Sequence, residues 1–205
     1  MCGRYRLSAE NPSGDMQAML DALNRRGATV KTGEIFPGDT VPVIANSRLL
    51  VPASFAMRWG YGTENGRRVI NARSETAAEK PLFSDGMKHR RCLVPASSYY
   101  EWMRRSREKT KYEISGELSP LLYMAGVYRL TDAGAEFSIL TREPDASLSF
   151  LHDRMPVILP KACCGAWLDP SQNPHEVLSH AVTQLYAAPV PGQAETISFF
   201  DMFDA

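Results

Sequence analysis

The residue with the greatest chemical potential stands at the start of the chain, where Cys2 follows Met1. An initiator methionine is normally removed when the next side chain is this small, so we expect a mature chain that begins with Cys2. Such a cysteine carries two nucleophiles, an α-amine with a reference pKa of about 7.7–8.0 and a thiol with one of about 8.5. The amine condenses with an aldehyde to a Schiff base, and the thiolate closes on the same carbon to give a thiazolidine. The plainer alternative is a cysteine without function on a frayed terminus.

Two polar residues interrupt segments that otherwise predict buried strands. Asn71 follows the apolar pair Val69-Ile70 and opens the run Asn-Ala-Arg-Ser-Glu-Thr. Asn71 or Ser74 could instead cap a short helix. Glu101 lies among aromatic residues in the run Tyr-Tyr-Glu-Trp. A carboxyl group in apolar surroundings has a raised pKa, which suits proton exchange with an amine, although an outward-facing strand residue would give the same pattern.

A histidine stands beside two charged residues in the segment Leu-His-Asp-Arg-Met-Pro, which precedes an apolar strand. A lone histidine is more often structural than catalytic. Histidine nevertheless has an unperturbed pKa of about 6.5, so its charge changes near physiological pH. Beside a reactive amine, His152 would therefore be a natural general acid or base.

Length and composition limit the classes of protein to consider. A chain of 205 residues can bury the core of a single domain without a disulfide or metal staple. Its four cysteines show neither metal-ligand spacing nor a disulfide framework, so we expect no metal, no cofactor and a reducing cytoplasm. The sequence has no signal peptide and no apolar run of about 18 residues, which argues against secretion and membrane spanning.

The distribution of charge allows only local attraction to a polyanion, because the formal net charge is zero. Arginine clusters occur at 67–68, 90–91 and 104–107, and other arginines stand singly between them. Arginine favours bidentate contacts with phosphate, whereas a solvated protein face is the ordinary alternative for a charged run.

The elements that would position these residues are mostly strands. One amphipathic helix is predicted from Asn11-Pro12, as N-cap and first residue, to a stop at Gly27. Strands are predicted at 41–44 and 49–51, and an Asn65-Gly66 turn predicts a hairpin of 54–59 with 68–70. Further strands are predicted at 91–94, 99–102, 111–114, 121–130, 136–141 and 155–159, and helices at 74–79, 161–168 and 174–180. This pattern predicts an α+β fold, a strand-rich single domain over 1–205 in which antiparallel sheets curl and a few helices lie at the periphery.

Four sequence blocks in a fixed order resemble the SOS-response-associated peptidase (SRAP) family. They are Met-Cys-Gly-Arg-Tyr, Asn-Ala-Arg-Ser-Glu-Thr, Arg-Cys-Leu-Val-Pro-Ala with Tyr-Glu-Trp, and His-Asp-Arg-Met-Pro-Val-Ile-Leu. The resemblance extends from Cys2 to about Leu159. It implies a cytoplasmic, nucleoid-associated sensor of abasic sites in single-stranded DNA, which captures the ring-opened deoxyribose aldehyde as a thiazolidine. It also implies a Schiff-base intermediate, with lyase-like activity and autoproteolytic removal of Met1 as further activities.

The resemblance implies a role for each site residue. Cys2 would be the double nucleophile, and Asn71 would position the reacting terminus. Glu101 would hold and deprotonate the α-amine, while His152 would protonate the sugar oxygen during ring opening and assist the Schiff base. The implied DNA contacts are Arg4, Arg73 and Arg154 as phosphate clamps, Pro37 and Trp59 as apolar platforms for unstacked bases, and Thr141 as a further polar contact.

The chain departs from the family pattern in two places. The stretch between Gly60 and Asn71 is short and lacks a proline and a second tryptophan, so the wedge that separates bases would be reduced. Beyond Leu159 the resemblance thins, and Tyr186-Ala187-Ala188-Pro189-Val190 replaces the usual block.

Two other functions fit the same residues. An N-terminal-nucleophile cysteine peptidase would use Cys2 with His152 or its own amine as base, although only Met1 precedes Cys2. A plain single-stranded DNA-binding module would use the arginines without covalent chemistry.

The last residues, from Gln193 to Phe203, include three phenylalanines. Most tails of this kind dock on the core of their own domain. The ending Asp201-Met202-Phe203 also resembles the short acidic-aliphatic-aromatic peptides by which replication proteins bind the bacterial sliding clamp. The clamp would then be a second partner, beside single-stranded DNA.

Overall fold

The secondary structure comes from a computed structural model, which describes residues 2–10, 12–105, 108–116 and 121–196. The strands are β1 Tyr5–Leu7, β2 Gly33–Ile35, β3 Thr40–Asn46, β4 Pro52–Trp59, β5 Tyr61–Gly62, β6 Arg68–Val69, β7 Asn71–Arg73, β8 Arg91–Ala96, β9 Ser98–Arg105, β10 Glu108–Gly116, β11 Leu122–Thr131, β12 Gly134–Arg142, β13 Met155–Pro156, β14 Ile158–Leu159 and β15 Leu185–Thr196. The helices are α1 Gly14–Asn24, α2 Pro81–His89, α3 Cys164–Leu168 and α4 Pro174–Ser179, with a 3-10 turn at Lys161–Cys163.

Five strands close into a small barrel. β4 pairs with β3, β3 with β8, β8 with β11, β11 with β12, and β12 returns to β4. The closing pair β4–β12 is parallel and sets Phe137 opposite Trp59, whose rings stack 6.5 Å apart. Both side chains are fully buried. Closure of this kind removes sheet edges, which are otherwise open to wrong pairing.

A second, five-stranded sheet has the order β15-β10-β9-β1-β2, and all its pairs are antiparallel. The short strand β1 is interior in this sheet, because Tyr5 lies opposite Ile35 on one side and Tyr99 on the other. The start of the chain is therefore held by hydrogen bonds to two neighbours. Cys2 lies just before this strand, next to β9, which carries Glu101.

Strand β12 connects the barrel to the remaining site segments. Besides its barrel neighbours it pairs in parallel with β7, where Ile139 lies opposite Asn71, and antiparallel with β13, where Thr141 lies opposite Pro156. One strand thus fixes both the segment of Asn71 and the segment that follows His152.

The predicted α+β fold is confirmed, although several predicted elements differ near the start of the chain. The helix α1 begins at Gly14, and its N-cap is Ser13, whose hydroxyl accepts a hydrogen bond from the Met16 amide at 3.4 Å. The predicted N-cap Asn11 lies outside the described residues. Residues 49–51 form an exposed turn rather than a strand. The strand β4 pairs with β3, and not with 68–70 as the hairpin prediction had it. The Asn65-Gly66 turn joins β5 to β6.

Two further elements of the structure were not predicted. Residues 74–79 form turns, and the helix instead follows them as α2. The long strand β15 pairs with β10 despite Pro189 and Pro191, because it lies at the edge of its sheet and the register shifts between Thr110 and Tyr112. Within the described residues, none of the helices is long and apolar enough to cross a membrane.

The helix α2 packs on the barrel strand β11 at a glycine. A Cβ placed on Gly86 would lie 2.9 Å from the Cβ of Val127, which is closer than such atoms approach in proteins. The absence of a side chain at this position therefore sets the distance between helix and strand.

We predict that Gly86→Ala lowers the free energy of unfolding by about 1–3 kcal/mol, because the added methyl forces α2 away from β11. Gly165→Ala is the matched control, since Gly165 is also helical and a Cβ placed on it would have no atom within 4 Å. That variant should gain about 0.5–1 kcal/mol from helix propensity. Thermal unfolding followed by circular dichroism measures both, and equal melting temperatures for the two variants would contradict the packing argument.

Candidate active site

The site is built around Cys2, which is fully buried. The carbonyl of Arg4 accepts a hydrogen bond from the Tyr100 amide at 2.9 Å, which ties the segment after Cys2 to β9. The same carbonyl accepts a weak hydrogen bond from the Cys2 thiol at 3.7 Å. Burial raises the pKa of the Cys2 thiol, and the negative charge of Glu101 raises it further. The thiol is therefore neutral at physiological pH.

Asn71 anchors the backbone of Cys2 from the other side. Its Nδ2 donates a hydrogen bond of 2.9 Å to the Cys2 carbonyl. Asn71 can reach this carbonyl because β7 is fixed in register against β12. The side-chain oxygen of Asn71 is buried and has no hydrogen-bond partner among the described residues, which leaves one acceptor close to Cys2.

Glu101 is a buried carboxyl group on β9, opposite Tyr112 of β10. Burial raises its pKa, while the positive charge of the chain's amino terminus opposes this rise and Asp153 adds to it. The pKa of Glu101 therefore depends on the charge of the amino terminus and on that of Asp153, in the segment of His152. A carboxylate with a raised pKa next to an amine can exchange a proton with it near neutral pH.

The pKa of His152 is also affected by the charge of the amino terminus. Burial lowers its pKa, and the positive charge of the amino terminus lowers it further, against the opposing effect of Asp153. Its Nδ1 accepts a hydrogen bond from the Arg154 amide at 3.1 Å and contacts the Asp153 carboxylate. The structure thus brings together Cys2, Glu101 and His152, with Asn71 holding the Cys2 carbonyl.

Arg154 connects the segment of His152 to other parts of the site. Its guanidinium donates two hydrogen bonds to the Glu75 carboxylate, at 2.8 and 2.7 Å, and a third to the Thr141 carbonyl at 2.6 Å. These contacts tie the loop of His152 to the turn that follows β7. The guanidinium of Arg154 is thus engaged by groups of the protein itself and is largely buried, and its role as a phosphate clamp stays a prediction.

Arg4 is likewise engaged by protein groups. Its guanidinium pairs with Glu34 at 3.4 Å and lies over the ring of Phe36 at 4.1 Å and near that of Trp102 at 5.1 Å. Lys111 binds the same Glu34 carboxylate at 2.7 Å. Arg4 and Phe36 are partly exposed members of this cationic and aromatic cluster, whereas Lys111 is buried.

Of the two residues expected to be platforms for bases, one is exposed and the other is buried. Pro37 is exposed, next to exposed Phe36. Trp59 does not offer a platform, because it is fully buried between Tyr5 and Phe137 and its indole nitrogen donates to the Ile70 carbonyl at 3.1 Å. It belongs to the core that supports Asn71.

Thr141 is also buried rather than available to DNA. Its hydroxyl donates to the Ala72 carbonyl at 3.4 Å, and its own carbonyl accepts from the Ser74 amide at 2.9 Å. Thr141 therefore stabilises the pairing of β7 with β12. Arg73, by contrast, is exposed at the end of β7.

Sequence reasoning missed the supporting roles of Glu75, Glu34 and Trp102. Glu75 was visible in the block that begins at Asn71, but its partner Arg154 is 79 residues away. The pairing of these charges depends on the sheet topology.

Within the described residues no group of three or more His, Cys, Asp and Glu side chains could hold a metal ion. The tail proposed to bind a sliding clamp lies outside the described residues from residue 197 onward.

Comparisons with known proteins identify similar chains. The family model described as SOS response associated peptidase (SRAP) matches residues 1–196. The abasic site processing protein YoaM of Bacillus subtilis is 31% identical over 194 residues, which cover 87% of this chain and 83% of that protein. The abasic site processing protein YMR114C of Saccharomyces cerevisiae is 32% identical, over 82% of this chain and 55% of the yeast protein.

Solved structures share the fold. A protein from Bacteroides thetaiotaomicron matches with a TM-score of 0.77 at 23% identity, over 93% of both chains. A phage-related protein from Bordetella bronchiseptica matches with a TM-score of 0.72 at 25% identity, over 96% of this chain and 97% of the other.

We predict that Asn71→Ala loosens the start of the chain, because it removes the hydrogen bond to the Cys2 carbonyl. A hydrogen bond of this kind contributes about 0.5–1.5 kcal/mol, so alkylation of the Cys2 thiol by iodoacetamide should accelerate about 2- to 10-fold. Peptide mapping by mass spectrometry separates Cys2 from the other cysteines. Asn65→Ala, in the exposed β5–β6 turn, is the control and should leave the rate unchanged. An unchanged rate in Asn71→Ala would show that Asn71 does not anchor Cys2.

Proposed function

Because the chain belongs to the SOS response associated peptidase family, we propose that it acts on abasic sites in single-stranded DNA and captures them covalently through Cys2. The names of its relatives, abasic site processing proteins, support the choice of lesion. The observation that carries the proposal is the fixed position of Cys2 beside Glu101 and His152. Its carbonyl accepts a hydrogen bond from Asn71, and the positive charge at the amino terminus of the unprocessed chain lowers the pKa values of both Glu101 and His152.

The proposed reaction begins with the removal of Met1, which converts the amide nitrogen of Cys2 into a primary amine. Glu101 takes a proton from the ammonium form, and the free amine attacks the aldehyde carbon of the ring-opened deoxyribose to give a carbinolamine. His152 donates a proton to the departing hydroxyl, which leaves as water, and a Schiff base forms. Glu101 returns its proton to solvent, and the Cys2 thiol then adds to the same carbon while its proton passes to the regenerated carboxylate. One thiazolidine and one water result.

The buried environment of the thiol suits this order of steps. A neutral thiol does not compete with the amine for the aldehyde, because the thiolate is the nucleophile. Once the cationic Schiff base has formed, the adjacent positive charge favours the thiolate and lowers the thiol pKa locally. Ring closure would then follow amine attack rather than precede it.

The surface around the site fits a single strand bound without sequence preference. Arg73 is exposed two residues after Asn71, and exposed Phe36 and Pro37 lie beside Arg4, two residues after Cys2. A positively charged side chain for the backbone and apolar groups for unstacked bases are the usual means of such binding. Because the net charge is zero, this binding would depend on these local groups, and it would bring the protein to the nucleoid.

We expect Cys2→Ala to abolish the heat-stable adduct with an abasic oligonucleotide, while non-covalent binding to single-stranded DNA stays within a few-fold. Cys2→Ser should also fail to give the stable product, because an oxazolidine is more labile than a thiazolidine. Denaturing gels measure the adduct, and intact mass establishes beforehand that Met1 has been removed. Cys163→Ala, a half-buried cysteine in the 3-10 turn, is the control and should cross-link normally. A heat-stable adduct formed by Cys2→Ala would assign the nucleophile to another amine.

The cross-linking rate should follow a bell-shaped pH profile. Glu101 must be ionised to accept a proton, and its pKa lies above the ordinary 4.5, so the rate rises with pH through this raised value. His152 must be protonated to act as an acid, and its pKa lies below 6.5, so the rate falls again as pH rises through that lowered value. The pKa values that define the acid and alkaline limbs therefore lie closer together than the ordinary values of 4.5 and 6.5.

Single-turnover rates of two variants assign the limbs. Glu101→Gln should remove the acid limb and His152→Ala the alkaline limb, with losses of about 10²- to 10⁴-fold at the optimum. A variant that keeps both limbs and the wild-type rate would remove that residue from the mechanism.

A further inference from the structure

One of the three arginines expected to bind phosphate is left without an ion-pair partner. Arg154 is bound by Glu75, and Arg4 by Glu34. Arg73 is exposed, and among the residues that the structure describes no carboxylate lies within ion-pair distance of it. The surface that Arg73 borders is therefore the place to look for further DNA contacts.

Arg73 borders a groove between β7 and the start of α2, here called the α2 groove. It has a volume of about 340 Å³, within the range of about 300–1,000 Å³ of small-molecule sites. Asn71 lines its inner end, and the Nδ2 of Asn71 contacts the Cys2 carbonyl. The groove therefore begins one side chain away from the proposed nucleophile.

The walls of the α2 groove are apolar and its rim is cationic. Pro81 and Leu82 are exposed on one wall, and Leu82 leaves 41% of its surface open, while Phe83 is buried beneath them. Lys80 adds an exposed positive charge, and no described carboxylate lies within ion-pair distance of it either. The carboxylate of Glu75, on the same turn, is hydrogen-bonded to Arg154 and interacts with Arg73 only through a weaker, longer-range attraction.

We propose that the α2 groove receives the nucleotide next to the abasic site, with its base against Leu82 and its phosphate between Arg73 and Lys80. The proposal rests on the function proposed above and assigns a neighbouring subsite to it. An abasic site has no base of its own to hold, so binding energy for positioning the sugar has to come from its neighbours. Apolar walls with two cations at the rim match a nucleotide, which combines an apolar face with an anion.

The test compares single-stranded oligonucleotides whose abasic site is flanked, on one side or the other, by a nucleotide or by a tetrahydrofuran spacer that keeps the phosphate and lacks the base. Wild-type protein at subsaturating concentration should cross-link about 10-fold more slowly when the spacer replaces the base on one side. Leu82→Glu should slow the reaction about 10-fold on the full substrate and abolish this preference. Leu82→Ala, the milder change at an exposed position, should show the same trend.

Substitution at Lys80 separates the phosphate contact from the base contact. Lys80→Ala should slow both substrates equally and reduce the salt dependence of binding by about 0.7 in slope, the value for one phosphate of a single strand. Lys88→Ala, an exposed lysine at the other end of α2, should change neither quantity.

The outcomes separate the two proposals. If wild-type protein cross-links but the Leu82 variants keep both its rate and its preference, or if the wild type shows no preference on either side, the α2 groove is not a nucleotide subsite. If wild-type protein forms no adduct, the proposed function fails. Equilibrium binding of oligonucleotides carrying an unreactive spacer as the lesion, compared with and without the neighbouring base, then decides on the groove alone.

Discussion

The ordering of the first residues of the chain is the constraint on which the rest of the site depends. A free terminus normally frays, and fixing each residue opposes folding by about 1–2 kcal/mol of backbone entropy. Here β1 offsets that loss because it is an interior strand, hydrogen-bonded to β2 and β9. Asn71 extends the restraint to the Cys2 carbonyl. Cys2, the proposed nucleophile, therefore has a defined position, as an internal side chain would.

Charge pairing inside the protein determines which cations remain for a ligand. The Arg154–Glu75 pair connects the loop of His152 to the turn after β7, so one interaction positions residues that are distant in sequence. Only Arg154 is buried in this pair, while Glu75 is half-exposed, and desolvation of the guanidinium opposes the attraction, so the pair favours geometry more than stability. The exposed Arg73 is adjacent to this pair and stays available.

How far the sequence could predict the structure differs between the site and its supports. Local patterns predicted the strand of Glu101 and the strand-rich class, because aromatic and β-branched runs mark strands directly. Burial of Trp59 could not be predicted, since it depends on Phe137 of β12, which closes the barrel across from it. The pairing of Arg154 with Glu75 depends on the same strand. The strand β15 was missed because its two prolines are unfavourable in a strand except at an edge. The turn at 49–51 was mistaken for a strand because its residues are apolar, although Leu50 has a positive φ of 57°.

The interior position of β1 also has a consequence for the timing of synthesis. Its neighbour β9 begins at Ser98, so β1 is synthesised long before its second partner strand exists. At about 5–20 residues per second, translation leaves an interval of roughly 5–20 seconds in which the first residues have no complete sheet to join. A processing enzyme would have access to Met1 during this interval, whereas in the finished fold Cys2 is buried. Removal of Met1, which the proposed function requires, would thus be easiest while the chain is still nascent, and the order of the strands along the sequence would set how long that interval lasts.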